Sequence, residues 1–227
     1  MIITKRISVI LLFVWIAHSA YSQTYQQLCD SLEYATSMLK KFPENTDLRL
    51  KKASWNLLLE QWAYAQKEYD HILLADSMNI AALYYRAYTN EKMHRYKFAR
   101  KDYENMLKIV PGNFNGLLGL ALLNQKDMHY TDAMNNINLL IQQYPDSAVA
   151  YAARAGIEKE RGMYELAEYD FTEAIKRDSK NADYRIARAD VRILMGKKKL
   201  AHQDLDYVVG LGVPRPSLND LYARCKE

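Results

Sequence analysis

Tyr164-Glu-Leu-Ala-Glu-Tyr-Asp-Phe-Thr-Glu-Ala-Ile-Lys176 decides how the rest of the chain is read. Ala167, Phe171, Ala174 and Ile175 stand at i, i+4, i+7 and i+8, which is one apolar stripe along an α-helix. The same stripe appears 34 residues earlier as Ala133, Ile137, Leu140 and Ile141, and 34 before that as Ala99, Tyr103, Met106 and Leu107. Working outward at this interval, two alanine columns run through the chain. One is Ala53, Ala87, Ala121, Ala155, Ala189 and Ala223; the other is Ala65, Ala99, Ala133, Ala167 and Ala201, with Ser31 one period before. A fixed period of this length marks stacked supersecondary units, none of which can bury its apolar face alone. The small residues mark two places per unit where helix backbones approach closely.

Starting at Thr46, five uninterrupted units follow: 46–79, 80–113, 114–147, 148–181 and 182–215. Each holds two apolar-periodic segments of helical length. Pro43, Pro111 and Pro145 share the column that ends the second helix, because proline cannot continue one. Two residues later stand Asn45, Asn79, Asn113, Ser147 and Asn181, side chains suited to capping the first amides of the next helix. Arg215 breaks this column, and Ser217 is expected to take over the cap.

The units resemble tetratricopeptide repeats, a family with this same 34-residue period. The resemblance covers residues 24–227. The family's Gly-x-Tyr turn stands as Gly162-Met163-Tyr164, with Trp62, Tyr96 and Tyr130 at the aromatic position of other units and Lys198 departing from it. It implies an all-α fold, a right-handed α-solenoid. The expected organisation is a half-repeat capping helix in 24–45, five units in 46–215 and a C-terminal capping helix in 216–227, Leu218 to Lys226, placing Ala223 in phase.

One comparison is internal to the chain. Lys52, Arg86, Leu120, Arg154 and Arg188 occupy one column, and Glu68, Asp102, Asn136, Asp170 and Asp204 another, sixteen residues later in every unit. Where the base becomes Leu120, the acid becomes Asn136. The co-change predicts an ion pair between the two helices of a repeat, as against a basic stripe for an anionic ligand. If exposed, such a pair contributes only about 0–1 kcal/mol and mainly fixes register.

Residues 1–22 have a different character. Lys5 and Arg6 precede an apolar run from Ile7 to Ala17, and Ala20 and Ser22 stand before Gln23. This is the layout of a secretory signal peptide cleaved after Ser22, and the run is too short for a membrane span. Export is therefore expected, to the periplasm or outside the cell. Cleavage takes two of the 31 basic residues and none of the 27 acidic ones, leaving a net charge of +2. That is no footprint for nucleic acid. Cys29 and Cys225 lie in opposite caps, too far apart for one disulfide. By their columns Cys29 should be exposed and Cys225 buried.

Neither zinc-ligand spacing, a phosphate loop nor a nucleophile elbow occurs, so no metal, no cofactor and no enzymatic activity are expected. The resemblance implies a binding groove instead, lined by the second, fifth, ninth, twelfth and thirteenth positions of each unit. These are Tyr84, Tyr88, Glu91 and Lys92 in the second unit, Leu118, Leu122, Gln125 and Lys126 in the third, and Ala152, Gly156, Lys159 and Glu160 in the fourth. The Lys and Asn carboxylate clamp of some family members is absent, since Leu50, Ser54, Tyr84 and Tyr88 hold those positions. Tyr84 and Tyr88 read either as contacts for a partner or as interhelix packing. The expected function is an exported adaptor or scaffold binding a protein or peptide in the groove. The alternatives are a subunit of an envelope complex docked by its convex face or caps, and a glycan-binding or enzyme accessory module.

Overall fold

Repeats of this kind bury each helix on its neighbours, and a computed structural model shows the result for residues 24–226. Residues 1–22, the segment expected to be a signal peptide, lie outside the described residues. Among these the chain is an all-α solenoid, and its contacts divide it into two compact units that meet in sequence at Ile109 and Val110. The first contains α1 (residues 24–41), α2 (Thr46–Leu58), α3 (Trp62–Ala75), α4 (Ile80–Lys92) and α5 (Tyr96–Ile109). The second contains α6 (Phe114–Lys126), α7 (Tyr130–Gln143), α8 (Ala148–Glu160), α9 (Tyr164–Arg177), α10 (Ala182–Leu194) and α11 (Lys198–Gly210). A 3-10 turn (Arg215–Leu218) and α12 (Asn219–Arg224) close it. Within each unit, successive helices pack as antiparallel hairpins.

The periodic signals act as the sequence requires. Asn45, Asn79, Asn113, Ser147 and Asn181 each accept a hydrogen bond from a first-turn amide at 2.9–3.2 Å. All ten alanines of the two columns from Ala53 to Ala201 are fully buried, so neighbouring backbones meet there without a side chain between them. The turn inside each repeat places one residue in the left-handed region. It is Gly162 and Gly196 in the last two repeats, but Glu60, His94 and Met128 in the first three, where φ is 56–57°. A β-carbon makes that conformation costly, so three repeats carry local strain that their packing must outweigh.

The C-terminal end departs from the expectation. Ser217 does not cap a helix: its hydroxyl donates to the Pro214 carbonyl inside the 3-10 turn, and α12 begins without a side-chain cap. Ala223 is exposed. The closing side chains are Leu218 and Tyr222, packed on Ala201, Leu205 and Val208. The Tyr222 hydroxyl donates to Asp206 at 2.8 Å, which lets a buried ring keep its polar tip satisfied. Both cysteines are free and partly buried, so the exposed and buried assignments for Cys29 and Cys225 are replaced by an intermediate one.

The paired columns are ion pairs across the two helices of a repeat. Lys52 reaches Glu68 at 2.6 Å, and Arg86, Arg154 and Arg188 each grip the acid sixteen residues on with two nitrogens. Each arginine also extends its remaining nitrogen to the preceding second helix: Arg86 to Asp70, Arg154 to Asn138 and Arg188 to Thr172, at 2.8–2.9 Å. One guanidinium thus ties three helices together. In the third repeat Asn136 donates to its own helix at the Asp132 carbonyl.

The pairs are not the exposed kind that contributes little. Only 2 % of the Asp170 side chain is accessible, and Asp102 and Asp204 are buried as deeply. Removing one partner strands a buried charge, at a cost of about 3–5 kcal/mol. Arg154→Leu alone should therefore destabilise by about that amount, whereas Arg154→Leu with Asp170→Asn should cost clearly less than the two single changes summed. The expected coupling is about 1–3 kcal/mol, read from urea unfolding of all four proteins. Additive losses would show that the columns do not interact.

Candidate functional site

Position arithmetic applied to the first two repeats brings six side chains to one place. Ser54, Leu57 and Leu58 on α2 and Tyr84, Tyr85 and Tyr88 on α4 line a groove of about 340 Å³ that is open to solvent. Its walls are mainly apolar. Leu58 is 66 % exposed and Tyr88 is 38 % exposed, both unusual for large apolar side chains on one small patch.

The two expected tyrosines play different parts. Tyr84 is half-buried, its ring 5.2 Å edge-on from Tyr85 and 6.2 Å from Tyr103. Burial, reinforced by Tyr85 and Glu91, raises the affinity of its phenol for its proton. Tyr88 projects outward, with the Lys92 ammonium 5.2 Å from its ring centre. Glu91 faces inward enough to accept from the Tyr103 hydroxyl at 2.8 Å. Tyr85, absent from the expected set, stacks on the buried Tyr69 with ring centres 6.1 Å apart and contributes its other side to the groove. Leu57 and Leu58 were within reach of the sequence, since they are the twelfth and thirteenth positions of the first repeat. Tyr85 was not, because it sits one position off the expected helix face.

The remaining candidates lie in the second compact unit. Leu118 and Leu122 are half-buried on α6, Gln125 is partly covered and Lys126 is exposed. α6 packs beside α8, which presents Ala152 and Gly156. A β-carbon at Gly156 would meet no atom within 4 Å, so the floor of small residues is open. Lys159, expected at the edge of a groove, is instead held in an ion pair by Asp190, which also takes Arg224 at 2.7 Å. That correction has a simple cause: Asp190 is the ninth position of the next repeat, directly across from it. Trp55 and Trp62 are both partly buried. Among the described residues no group of His, Cys, Asp and Glu side chains is arranged to hold a metal ion, and no helix is long and apolar enough to cross a membrane.

No family model and no curated protein matches the chain. Solved structures do. A tetratricopeptide repeat protein from Parabacteroides merdae superposes with a TM-score of 0.71 at 21% identity, over 89% of this chain and 79% of that one. The fold is that of a tetratricopeptide repeat protein. PilW, a widely conserved type IV pilus biogenesis factor, matches with a TM-score of 0.70 at 18% identity, over 82% of this chain and 86% of its own. YrrB, described as a tetratricopeptide repeat protein with an unusual peptide-binding site, matches at 0.56 and 18% identity, over 79% and 93%.

One position of the repeat carries unusual electrostatics. The eleventh residue of each unit reads Asn56, Asn90, Asn124, Glu158 and Arg192. The first four are buried. Glu158 lies beside the Arg154–Asp170 pair, and its Oε2 makes no hydrogen bond to the described residues. Burial, then the Asp170 carboxylate, push its carboxyl up to about 7, with Arg154 opposing. The protonated acid is neutral like the asparagines in this column, but one methylene longer, an isostere of glutamine.

The sign follows from linkage. A carboxyl raised from its ordinary 4.5 to about 7 binds its proton more tightly folded than unfolded, so its ionisation subtracts stability as pH rises through that window. Glu158→Gln should match the wild type near pH 4 and exceed it by about 1–3 kcal/mol at pH 8. Urea unfolding at pH 4, 6 and 8 checks this; a difference that does not change with pH would refute the assignment.

Proposed function

We propose that the protein is an exported, non-enzymatic adaptor that binds a protein or peptide in the groove between α2 and α4. The observation that carries this reading is the groove itself: Leu57, Leu58, Tyr85 and Tyr88 offer aromatic and aliphatic surface, partly solvent-exposed, on a rigid two-helix wall. Such surfaces take the apolar face of a helix or the alternate side chains of an extended segment. Tyrosine suits the role because its large ring has few rotamers to lose on binding. YrrB supports a peptide ligand on a chain of this fold, and PilW supports an envelope setting. A second reading is a subunit of an envelope complex docked by the opposite face, favoured by Tyr64 and Phe98, which stand exposed at one position of successive second helices.

Partner capture from envelope extract, followed by mass spectrometry, tests the groove. Tyr88→Ala and Leu58→Asp should each reduce capture by at least tenfold while leaving the helical melting transition within about 2 °C of wild type, since both side chains are exposed. Tyr84→Ala, by contrast, should lower the melting temperature because its ring packs on Tyr85 and Tyr103. Undiminished capture by Tyr88→Ala and Leu58→Asp would remove the groove from the proposal.

Export rests on residues 1–22 and is tested separately. Protein recovered from its native host should begin at Gln23 and lie outside the cytoplasm, by intact-mass measurement of fractionated cells. A full-length cytoplasmic mass would end both the compartment and the envelope partner.

A further inference from the structure

A second cavity opens on the other side of the repeats, between α3, α4 and α5. It encloses about 280 Å³ and is lined by Gln66, Asp70, Arg86, Asn90, Phe98, Lys101 and Asp102. Unlike the groove, its base is polar. Asn90 is 2 % exposed, yet its Oδ1 makes no hydrogen bond to any described residue. Buried carbonyl oxygens nearly always have a donor, and this one, itself almost without accessible surface, belongs to a residue that lines the cavity.

The chain contains its own precedent for that ligand. Three periods later the same positions are Glu168, Thr172, Arg188, Arg192, Leu200, Gln203 and Asp204. There the place of Asn90 is taken by Arg192. Its guanidinium donates to Glu168 Oε1 and Asp204 Oδ2, each at 2.7 Å, and to the Leu200 carbonyl at 3.4 Å. Those three partners correspond to Gln66, Asp102 and Phe98, all of which line the cavity. The surroundings are duplicated as well. Arg188 grips Asp204 as Arg86 grips Asp102, and Lys197 reaches Glu168 at 2.6 Å as Arg95 reaches Gln66 at 3.0 Å. Asp204 Oδ2 serves two donors, Arg188 Nε and Arg192 Nη1. Asp102 Oδ2 takes Arg86 Nε at 2.9 Å, and Asn90 stands at the position that supplies the second donor in the last repeat.

We propose that the cavity between α3, α4 and α5 receives the guanidinium of an arginine side chain presented by a protein partner, as Arg192 fills the corresponding space in the last repeat. Asp70 and Asp102 both pair with Arg86 at the base, the neutral oxygens of Asn90 and Gln66 add acceptors, and Arg95 on Gln66 weighs against a further cation. Planar, forked donors suit this set better than a lysine ammonium. The rim argues for a protein segment over a free amino acid. Phe98 is 61 % exposed there, and it supplies apolar surface for the arginine stem and for a residue flanking it. Lys101, exposed on the same rim, opposes a cation and limits affinity.

The probe is an acetylated, amidated tetrapeptide Ala-Leu-Arg-Ala, titrated into the full chain with amide NMR detection. The side-chain amide signals of Asn90 and Gln66 should shift saturably. The peptide with citrulline in place of arginine should bind at least tenfold more weakly, and acetyl-arginine amide alone should bind more weakly than the tetrapeptide. Asn90→Arg with Gln66→Glu, which copies the last repeat, should abolish peptide binding, read from the backbone amide shifts of α3, α4 and α5, and raise the melting temperature. Lys101→Gln, copying Gln203, should tighten binding severalfold, and Tyr88→Ala should leave it unchanged, separating this site from the groove. Equal binding of the citrulline peptide, or a lowered melting temperature in the double variant together with no effect of Lys101→Gln, would overturn the site. Equal affinity for acetyl-arginine amide would overturn the protein partner.

Discussion

The guanidinium–carboxylate staple is the interaction on which these repeats depend. Alanine columns let helices approach, but smooth apolar faces do not by themselves fix how far one helix slides along another. A half-buried arginine that must satisfy two oxygens of a buried carboxylate on its own hairpin and a polar group on the preceding helix favours a single register. The cost of stranding such a charge makes wrong registers expensive, so specificity is obtained alongside stability. The third repeat dispenses with the staple and compensates with apolar surface: Leu120 is buried where the base would be, and Leu117 and Leu123 are buried beside it.

The eleventh position shows what happens around a staple when its neighbour varies. Asparagine leaves space and an unpaired oxygen at Asn90; glutamate at Glu158 sets a second acid beside Asp170 and holds its proton more tightly; arginine at Arg192 fills the space and joins the network. The same backbone therefore presents a polar cavity, a titrating acid or a closed ion network, according to one residue. Repeat proteins offer this comparison within one chain, because each unit is placed in an equivalent setting by its neighbours.

The groove and the cavity divide the surface by chemistry. First helices expose tyrosine and leucine to one side, where apolar contact dominates. Second helices expose Phe98 above a charged base on the other. A scaffold with two dissimilar surfaces can hold two dissimilar segments, of one partner or of two, without either competing for the same residues.

Much of this was legible in the sequence. The 34-residue period dictated helical hairpins, the Asn and Ser column dictated their starts, and the joint loss of base and acid at Leu120 and Asn136 identified the pairing, since all three rest on local chemistry repeated in phase. What the sequence could not supply were quantities set by three-dimensional surroundings. Burial turns a modest ion pair into a costly one, and shifts Glu158 by placing it against Asp170. The left-handed turn is filled by Glu60, His94 and Met128 where a glycine rule would look elsewhere. Tyr84 and Tyr88, identical on a helical wheel, part ways because only Tyr84 has Tyr103 behind it. Lys159 is lost to a partner because Asp190 faces it from the next repeat. Period and propensity are properties of the chain; burial, pairing and the space left by a short side chain exist only once neighbouring helices are packed against it.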